Sequence, residues 1–407
     1  MAKSTGNVQV ARSVAWLVLR ESGASFGANR GLESAATLAY YGFLSLMPLL
    51  LLCMFLLGTV LRSSEAVLSG VRSVTADLFP SFNDAMLSDL LTLSQQKVWG
   101  AVSIVILLWS MTPFAGAMRS AIFRIFKTDR TLHFLKAKLV DVTAILMLLS
   151  LFIGTVAWRV FVTARDAETA VNAAEHVFSL VLPFGVTLVV LGLFYLWFAP
   201  VRPRWTHVLA GAFTATVLLS AIRPLFGLLL HFNPDFGYAF GSLKAIFLLI
   251  VWAYYTFAVI LFGAEVMANA QRREALLLRG FLHGDVPAKP GVARLIEQFV
   301  RTLEPGQALF EEGDEGHEMF YVQAGSVELR KGGQVLRVMK PGDYFGEMSM
   351  LLGAPRSAGA VAVQPDTRLV AISEGNFDTI LRENPVIVRD ILKEMAVRLK
   401  ATSERVK

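Results

Sequence analysis

Apolar positions follow two regimes along this chain. Up to residue 280 they form long, nearly unbroken runs, and from 281 onward they come in short stretches cut by glycine turns. A helix that crosses the apolar layer of a bilayer needs about 20 mostly apolar residues. About six segments meet that requirement on a hydropathy reading: Thr37–Leu61, Val98–Met118, Leu139–Phe161, Val177–Ala199, Thr206–Leu230 and Leu243–Ala268. Between the first two, Arg62–Lys97 mixes Val71, Val74, Leu78, Met86, Leu90 and Leu93 with Asp77, Asp84 and Asp89, a pattern of amphipathic helices rather than a further span. Val10–Leu19 reads as one face of a short amphipathic helix at a membrane surface.

Gly280–Gly291 holds Gly284, Pro287 and Pro290 and reads as a linker. Strand-like stretches then follow at Glu318–Gln323, Val327–Arg330, Val335–Met339, Ala358–Val363 and Arg368–Ile372. Turn signals separate them at Pro305-Gly306, Gly313-Asp314, Gly325-Ser326, Gly332-Gly333 and Pro341-Gly342-Asp343, which indicates a sandwich or barrel. Helical patterns close the chain at Glu374–Arg382 and Pro385–Thr402. The fold class expected is therefore an all-α polytopic membrane bundle followed by a β-domain with flanking helices. The domain limits expected are 1–280 for the bundle, 281–293 for the linker and 294–407 for the β-domain.

Composition agrees with the pattern. Of 407 residues 55% are hydrophobic and 17% charged, against roughly 25% charged in an ordinary soluble domain. The single cysteine, Cys53, excludes an intrachain disulfide and reads as a small apolar residue of a helix. Residues 1–30 lack a compact apolar core followed by a small-residue cleavage site, so no cleavable signal peptide is expected. The net charge of +6 is concentrated beside the apolar runs. Lys3, Arg12, Arg20 and Arg30, then Arg124, Lys127, Arg130, Lys136 and Lys138, then Arg202 and Arg204, then Arg272, Arg273 and Arg279 all fall on one side if six spans alternate. Basic residues favour the cytoplasmic side, so both termini are expected there.

Ionisable groups within spans are costly and mark functional candidates. Arg223, followed by Pro224 in the fifth run, and Glu265, near the inner end of the sixth, are the two such candidates. Arg119, Asp141 and Lys244 lie near span ends and read as interfacial. Pro48, Pro113 and Pro224 each remove a backbone donor within a span. Tyr40, Tyr41, Ser45, Ser110 and Thr112 suit either a polar interior or hydrogen bonds between helices.

Four stretches of the membrane half carry a resemblance. Ser34 through Pro48 (SAATLAYYGFLSLMP), Leu209 through Phe213, Tyr238 through Ser242, and Trp252 through Glu265 resemble, in order, the signatures of the YihY/virulence factor BrkB family. The match covers roughly residues 10–275. The resemblance implies a bacterial inner-membrane protein with an envelope role in lipid or solute transport. The family was once mislabelled as ribonuclease BN.

The C-terminal half carries a second resemblance. Phe345-Gly346-Glu347-Met348-Ser349 and Leu351-Leu352-Gly353-Ala354-Pro355-Arg356-Ser357-Ala358 resemble the phosphate-binding cassette of the cyclic-nucleotide-binding domain of catabolite-activator-like proteins. The similarity runs over nearly all of 294–403 and implies a β jelly roll. It implies that Glu347 accepts a hydrogen bond from the ribose 2′-hydroxyl, that Arg356 pairs with the phosphate, and that Ser357 adds a contact. A cyclic phosphate is an anion, and the residues suit one. Gly346 lets the backbone approach closely, residues 347–349 would open a short helix, and an arginine supplies charge-assisted bonds. The ligand implied is a cyclic nucleotide, with cAMP favoured over cGMP. Homo-oligomerisation through the last helix, as in similar domains, is an open option. His317 stands at a turn where an acidic residue is more usual and reads as solvent-exposed.

The function expected is a transporter or permease-like membrane protein regulated by cyclic nucleotide at its cytoplasmic end. The rival reading is an envelope scaffold that transports nothing, with a sensory or purely structural nucleotide domain. No metal-ligand spacing links His133, His176, His207, His231, His283 and His317, so neither an enzyme nor a metal site is expected. No helix-turn-helix pattern follows residue 403, so nucleic acid is not an expected partner. The partners expected are the lipid bilayer and the nucleotide.

Overall fold

The computed structural model describes residues 2–45, 97–128, 173–232, 244–282 and 297–383. The expected segments Arg62–Lys97 (but for its last residue), Leu139–Phe161, Tyr238–Ser242 and Pro385–Thr402 lie outside the described residues, as do most of Thr37–Leu61, Pro48 and Asp141. The chain divides into two compact units, Glu21–Ala270 on one hand and Met1–Arg20 with Gln271–Lys407 on the other.

The first unit is helical, and α1 runs into it from residues that belong to the other unit. The described helices are α1 (Ala2–Ala28), α2 (31–45), α3 (Lys97–Ile125), α4 (Ala173–Phe198), α5 (Trp205–Phe232) and α6 (Lys244–Gln271). Long apolar runs fold this way because a helix satisfies every backbone polar group within its own segment, which lipid demands. Helix α1 is longer than the amphipathic stretch expected at Val10–Leu19, and α3, α4 and α5 continue through Pro113, Pro183 and Pro224. Among the described residues two stretches are long and apolar enough to cross a membrane, Trp205–Phe226 and Ile246–Gln271, and Pro183–Phe198 is a shorter apolar helix.

The outer surface of these helices is apolar. Val181, Val189, Leu193, Leu209, Phe213 and Val217 are exposed, a surface that water disfavours and lipid tails accept. Trp197 and Trp205 (69% exposed) flank the α4–α5 turn that holds Arg202 and Arg204. Tryptophan beside arginine is what a membrane–water interface selects.

Inside, Ala35, Leu38, Met118, Ile122, Tyr195, Phe198, Leu261 and Met267 share one buried cluster. Helices α5 and α6 touch at Gly211 and Gly263. A Cβ placed on Gly211 would lie 2.5 Å from the Gly263 carbonyl oxygen, and one on Gly263 would lie 2.8 Å from the Gly211 carbonyl oxygen and strike the Tyr195 hydroxyl. That hydroxyl donates to the Ile260 carbonyl at 2.7 Å. Polar ties join α1 and the turn after it to α6, and α2 to α3. Asn29 Nδ2 donates to Glu265 Oε1 at 2.5 Å, Asn269 Nδ2 donates to Ser22 Oγ at 3.1 Å, and Arg124 Nη2 donates to Ser34 Oγ at 2.8 Å.

The second unit contains two four-stranded antiparallel sheets. Their strands are β1 (Val300–Leu303), β2 (Ala308–Phe310), β3 (Glu318–Ala324), β4 (Val327–Lys331), β5 (Gln334–Met339), β6 (Tyr344–Phe345), β7 (Gly359–Ala362) and β8 (Thr367–Ser373). The sheet orders are β1-β8-β3-β6 and β2-β7-β4-β5. Phe320, Val322, Val327, Met339, Phe345 and Leu369 fill the core of this roll. Gly332 and Gly333, at φ 55° and 81°, close the β4–β5 hairpin opposite the Lys331–Gln334 pair, and two consecutive positive φ angles make the hairpin turn that matches strand twist.

Among the described residues three helices attach to this roll: α7 (Arg273–Leu282), α8 (Glu347–Leu352) and α9 (Glu374–Glu383). Ala275 and Leu278 of α7 join Met319, Met350, Val370, Ile372, Phe377 and Ile380 in one buried cluster. Arg272 alone separates α6 from α7. The linker expected from Gly280 therefore begins inside a helix, and 283–296 lie outside the described residues.

All five strands expected from the sequence are present. The sequence reading missed β1, β2 and β6, which are short. The β1 stretch has Arg301 and Thr302 exposed, and β6 holds only two residues. Substituting Gly263 with alanine should force α5 and α6 apart. Overpacking of this kind costs about 1–3 kcal/mol, so the melting temperature of the detergent-solubilised protein should fall by several degrees; an unchanged value would contradict the close crossing.

Candidate phosphate-binding site

The site is built where β6 runs into α8. Phe345 is buried and its ring stacks on Phe320 at 5.6 Å, so the end of β6 is anchored in the core. Gly346 follows with φ 79° and ψ 1°, a left-handed conformation that a side chain disfavours. A Cβ there would also lie 2.6 Å from Arg356 Nη1. The chain then turns into α8, whose first residue Glu347 and third residue Ser349 are buried while Met348 is exposed. Gly353, at φ 61°, ends α8, and its N–H donates to the Ser349 carbonyl.

The loop after α8 returns Arg356 beneath this turn. Its backbone is strapped to the β2–β3 loop by two bonds, Arg356 N–H to the Asp314 carbonyl and Gly313 N–H to the Arg356 carbonyl, both 2.8 Å. The side chain is only 5% exposed. Nη1 donates to the Gly346 carbonyl at 2.9 Å and to Ser349 Oγ at 3.2 Å, and Nη2 donates to the Glu318 carbonyl at 2.8 Å. The guanidinium lies over the Phe310 ring, 4.3 Å from its centroid, and 5.6 Å from that of Phe320. Nε is buried and has no hydrogen-bond partner among the described residues.

Burial pulls the Arg356 guanidinium below its ordinary pKa, Glu318 and Asp314 oppose that shift, and Arg301 adds to it. Arg301 itself pairs with the Glu318 carboxylate at 2.6 Å. Three oxygens that hold Arg356 belong to neutral groups. A desolvated cation held by neutral acceptors is matched to an anion. A phosphate-sized oxyanion fits this chemistry, beside a glycine that leaves the backbone bare.

Of the residues singled out in the sequence, the structure joins Gly346, Ser349 and Arg356 by hydrogen bonds. Phe345 belongs to the core beneath them, and Glu347 is buried at the start of α8. Ser357 is exposed, and Ala358 is buried at the entrance to β7. In the helical unit, Arg223 lies on α5 with its side chain outside the described part, and Glu265 is buried on α6 as the acceptor of the Asn29 bond. His317 is exposed, as expected.

Sequence reasoning missed two contributors. Gly316 faces the guanidinium, and a Cβ on it would collide with Nε, Cζ and Nη2 of Arg356. Phe310 supplies the ring beneath the charge. The run Gly313-Asp314-Glu315-Gly316 carries a signal for the first, since its second glycine has no positive φ to explain it.

Residues 23–280 match the family described as Virulence factor BrkB, and residues 300–384 match the Cyclic nucleotide-binding domain. A UPF0761 membrane protein of Azotobacter vinelandii is 26% identical over 294 residues, covering 70% of this chain and 69% of that protein. A Cyclic AMP receptor protein of Thermus thermophilus is 36% identical over 124 residues, covering 29% of this chain and 56% of that protein. A cGMP-dependent protein kinase of Toxoplasma gondii is 33% identical over 96 residues, covering 23% of this chain and 10% of the kinase. The chain thus spans little more than half of that receptor and a tenth of that kinase. The buried arginine, the bare glycine and the short helix all fall within residues 300–384, while the apolar helices fall within 23–280. The chain belongs to the Virulence factor BrkB family of membrane proteins and carries a cyclic nucleotide-binding domain behind the family's membrane region.

Proposed function

We propose that this protein is a transporter or permease-like protein of the bacterial inner membrane whose state is set by a cyclic nucleotide bound at Arg356. The observation that carries the reading is the buried guanidinium whose Nη1 donates to the carbonyl of the left-handed Gly346 at the opening of α8. The phosphate takes its charge-assisted bonds from Arg356, and Glu347 meets the ribose. The similarity to a Cyclic AMP receptor protein favours cAMP as the ligand. About six spans with both termini in the cytoplasm would put the roll where cyclic nucleotides are made. The protein is proposed as a binding and transport protein and not as an enzyme.

The route from ligand to membrane is α7. Its Ala275 and Leu278 share a buried cluster with Met350, which lies on the helix that opens at the phosphate site. A shift of α8 on binding is felt in that cluster and passes through Arg272 to α6. A ligand moves such an equilibrium only by its differential affinity for two states, and a hundredfold preference supplies about 2.7 kcal/mol.

Calorimetric titration of the full-length protein with cAMP and cGMP tests the binding. Arg356→Gln should lower affinity by about 1.5–3 kcal/mol, roughly ten- to more than a hundredfold, and unchanged affinity would remove Arg356 from the site. Gly316→Ala, which pushes the guanidinium off its acceptors, should cost about tenfold, equivalent to about 1.4 kcal/mol. For the transport half, vesicles reconstituted with the protein should move a solute or lipid at a rate that changes with nucleotide. Tight nucleotide binding with no movement in either state would leave a sensory scaffold instead.

A further inference from the structure

Phe310 sits on the short strand β2, paired with Ala360 of β7. A phenylalanine there is first of all a packing residue, and it is half-buried against the roll's core. Its position relative to Arg356 gives it a second role. Hydrogen bonds from Nη1 and Nη2 to Gly346, Ser349 and Glu318 fix the guanidinium within its own plane. In-plane bonds leave tilting out of the plane unopposed. The Phe310 ring, 4.3 Å from Cζ, covers one face of the group and blocks tilting in that direction.

The ring also acts on the charge. The face of an aromatic ring is electronegative and attracts a cation over it, the more so where water is excluded. Arg356 is nearly wholly buried, and its hydrogen-bonded acceptors are all neutral. Phe310 therefore offsets part of the cost of keeping that charge in the protein before a ligand arrives. A charge held in place in advance loses less freedom on binding, which raises affinity without adding a contact.

We infer that Phe310 is a positioning residue of the phosphate site, holding the Arg356 guanidinium under its ring for the phosphate of an incoming cyclic nucleotide. The inference rests on the binding proposed above. It assigns to β2, a strand outside the cassette itself, part of the selectivity for phosphate-bearing ligands.

The test is a double-mutant cycle on the full-length protein in detergent, with cAMP as the probe and the melting temperature followed in parallel. Phe310→Leu keeps an apolar side chain but removes the aromatic face, and should weaken cAMP binding about two- to thirtyfold. Phe310→Tyr keeps the ring and should restore affinity to within about threefold of wild type. In an Arg356→Gln background the leucine substitution should add no further loss, because a group that acts through the arginine has nothing left to position. Unchanged affinity in Phe310→Leu, failure of tyrosine to restore it, or an equal fold-loss in both backgrounds would each overturn the inference and return Phe310 to a packing role. Wild-type protein that binds no cyclic nucleotide would instead overturn the binding reading beneath it, a result distinguishable at the first titration.

Discussion

A cation kept out of water sets the terms for the C-terminal half of this protein. Burying an arginine is costly unless its N–H groups find acceptors. Here the acceptors are two backbone carbonyls and a serine hydroxyl, which hold the group without neutralising it. Nearly every local feature of the site follows from that choice. Gly346 and Gly316 are bare because a Cβ on either would strike the guanidinium. The Gly313–Arg356 and Asp314–Arg356 backbone bonds bring the loop that carries Gly316 into place. Phe345 and Phe320 pack beneath, so the turn that carries the Gly346 carbonyl cannot drift.

Strands β3, β4 and β5 were legible in sequence because turn glycines bracket their apolar stretches. Strand β3 is the clearest case, with Met319, Phe320 and Val322 buried between the turns at Gly313 and Gly325. Strands β1, β2 and β6 are too short to show a period, and they are strands because neighbours pair with them, as β8 does with β1, β7 with β2 and β3 with β6. The cassette was legible as a motif. The support around it was not, since Gly316 and Phe310 lie far from Arg356 in sequence and meet it only through the fold. For the membrane half, hydropathy located the runs that became α3 to α6, but no rule of composition says that Asn29 meets Glu265 or that Gly211 meets Gly263.

Helix α7 belongs to the C-terminal unit. The ten residues after Arg272 form a helix whose Ala275 and Leu278 are part of the same core as the strands, while Gly284, Pro287, Pro290 and Gly291 of the expected linker lie outside the described residues. A helix packed in a core moves only when that core repacks.

The crossing of α5 and α6 bears on where anything could pass through the bundle. At Gly211 and Gly263 the two backbones approach until not even a methyl group fits between them, and the Tyr195 hydroxyl closes the remaining gap. A hydrated ion, a sugar or an acyl chain needs a passage several ångströms wide. This seam therefore admits none of them, and any opening between these helices would lie on their other faces.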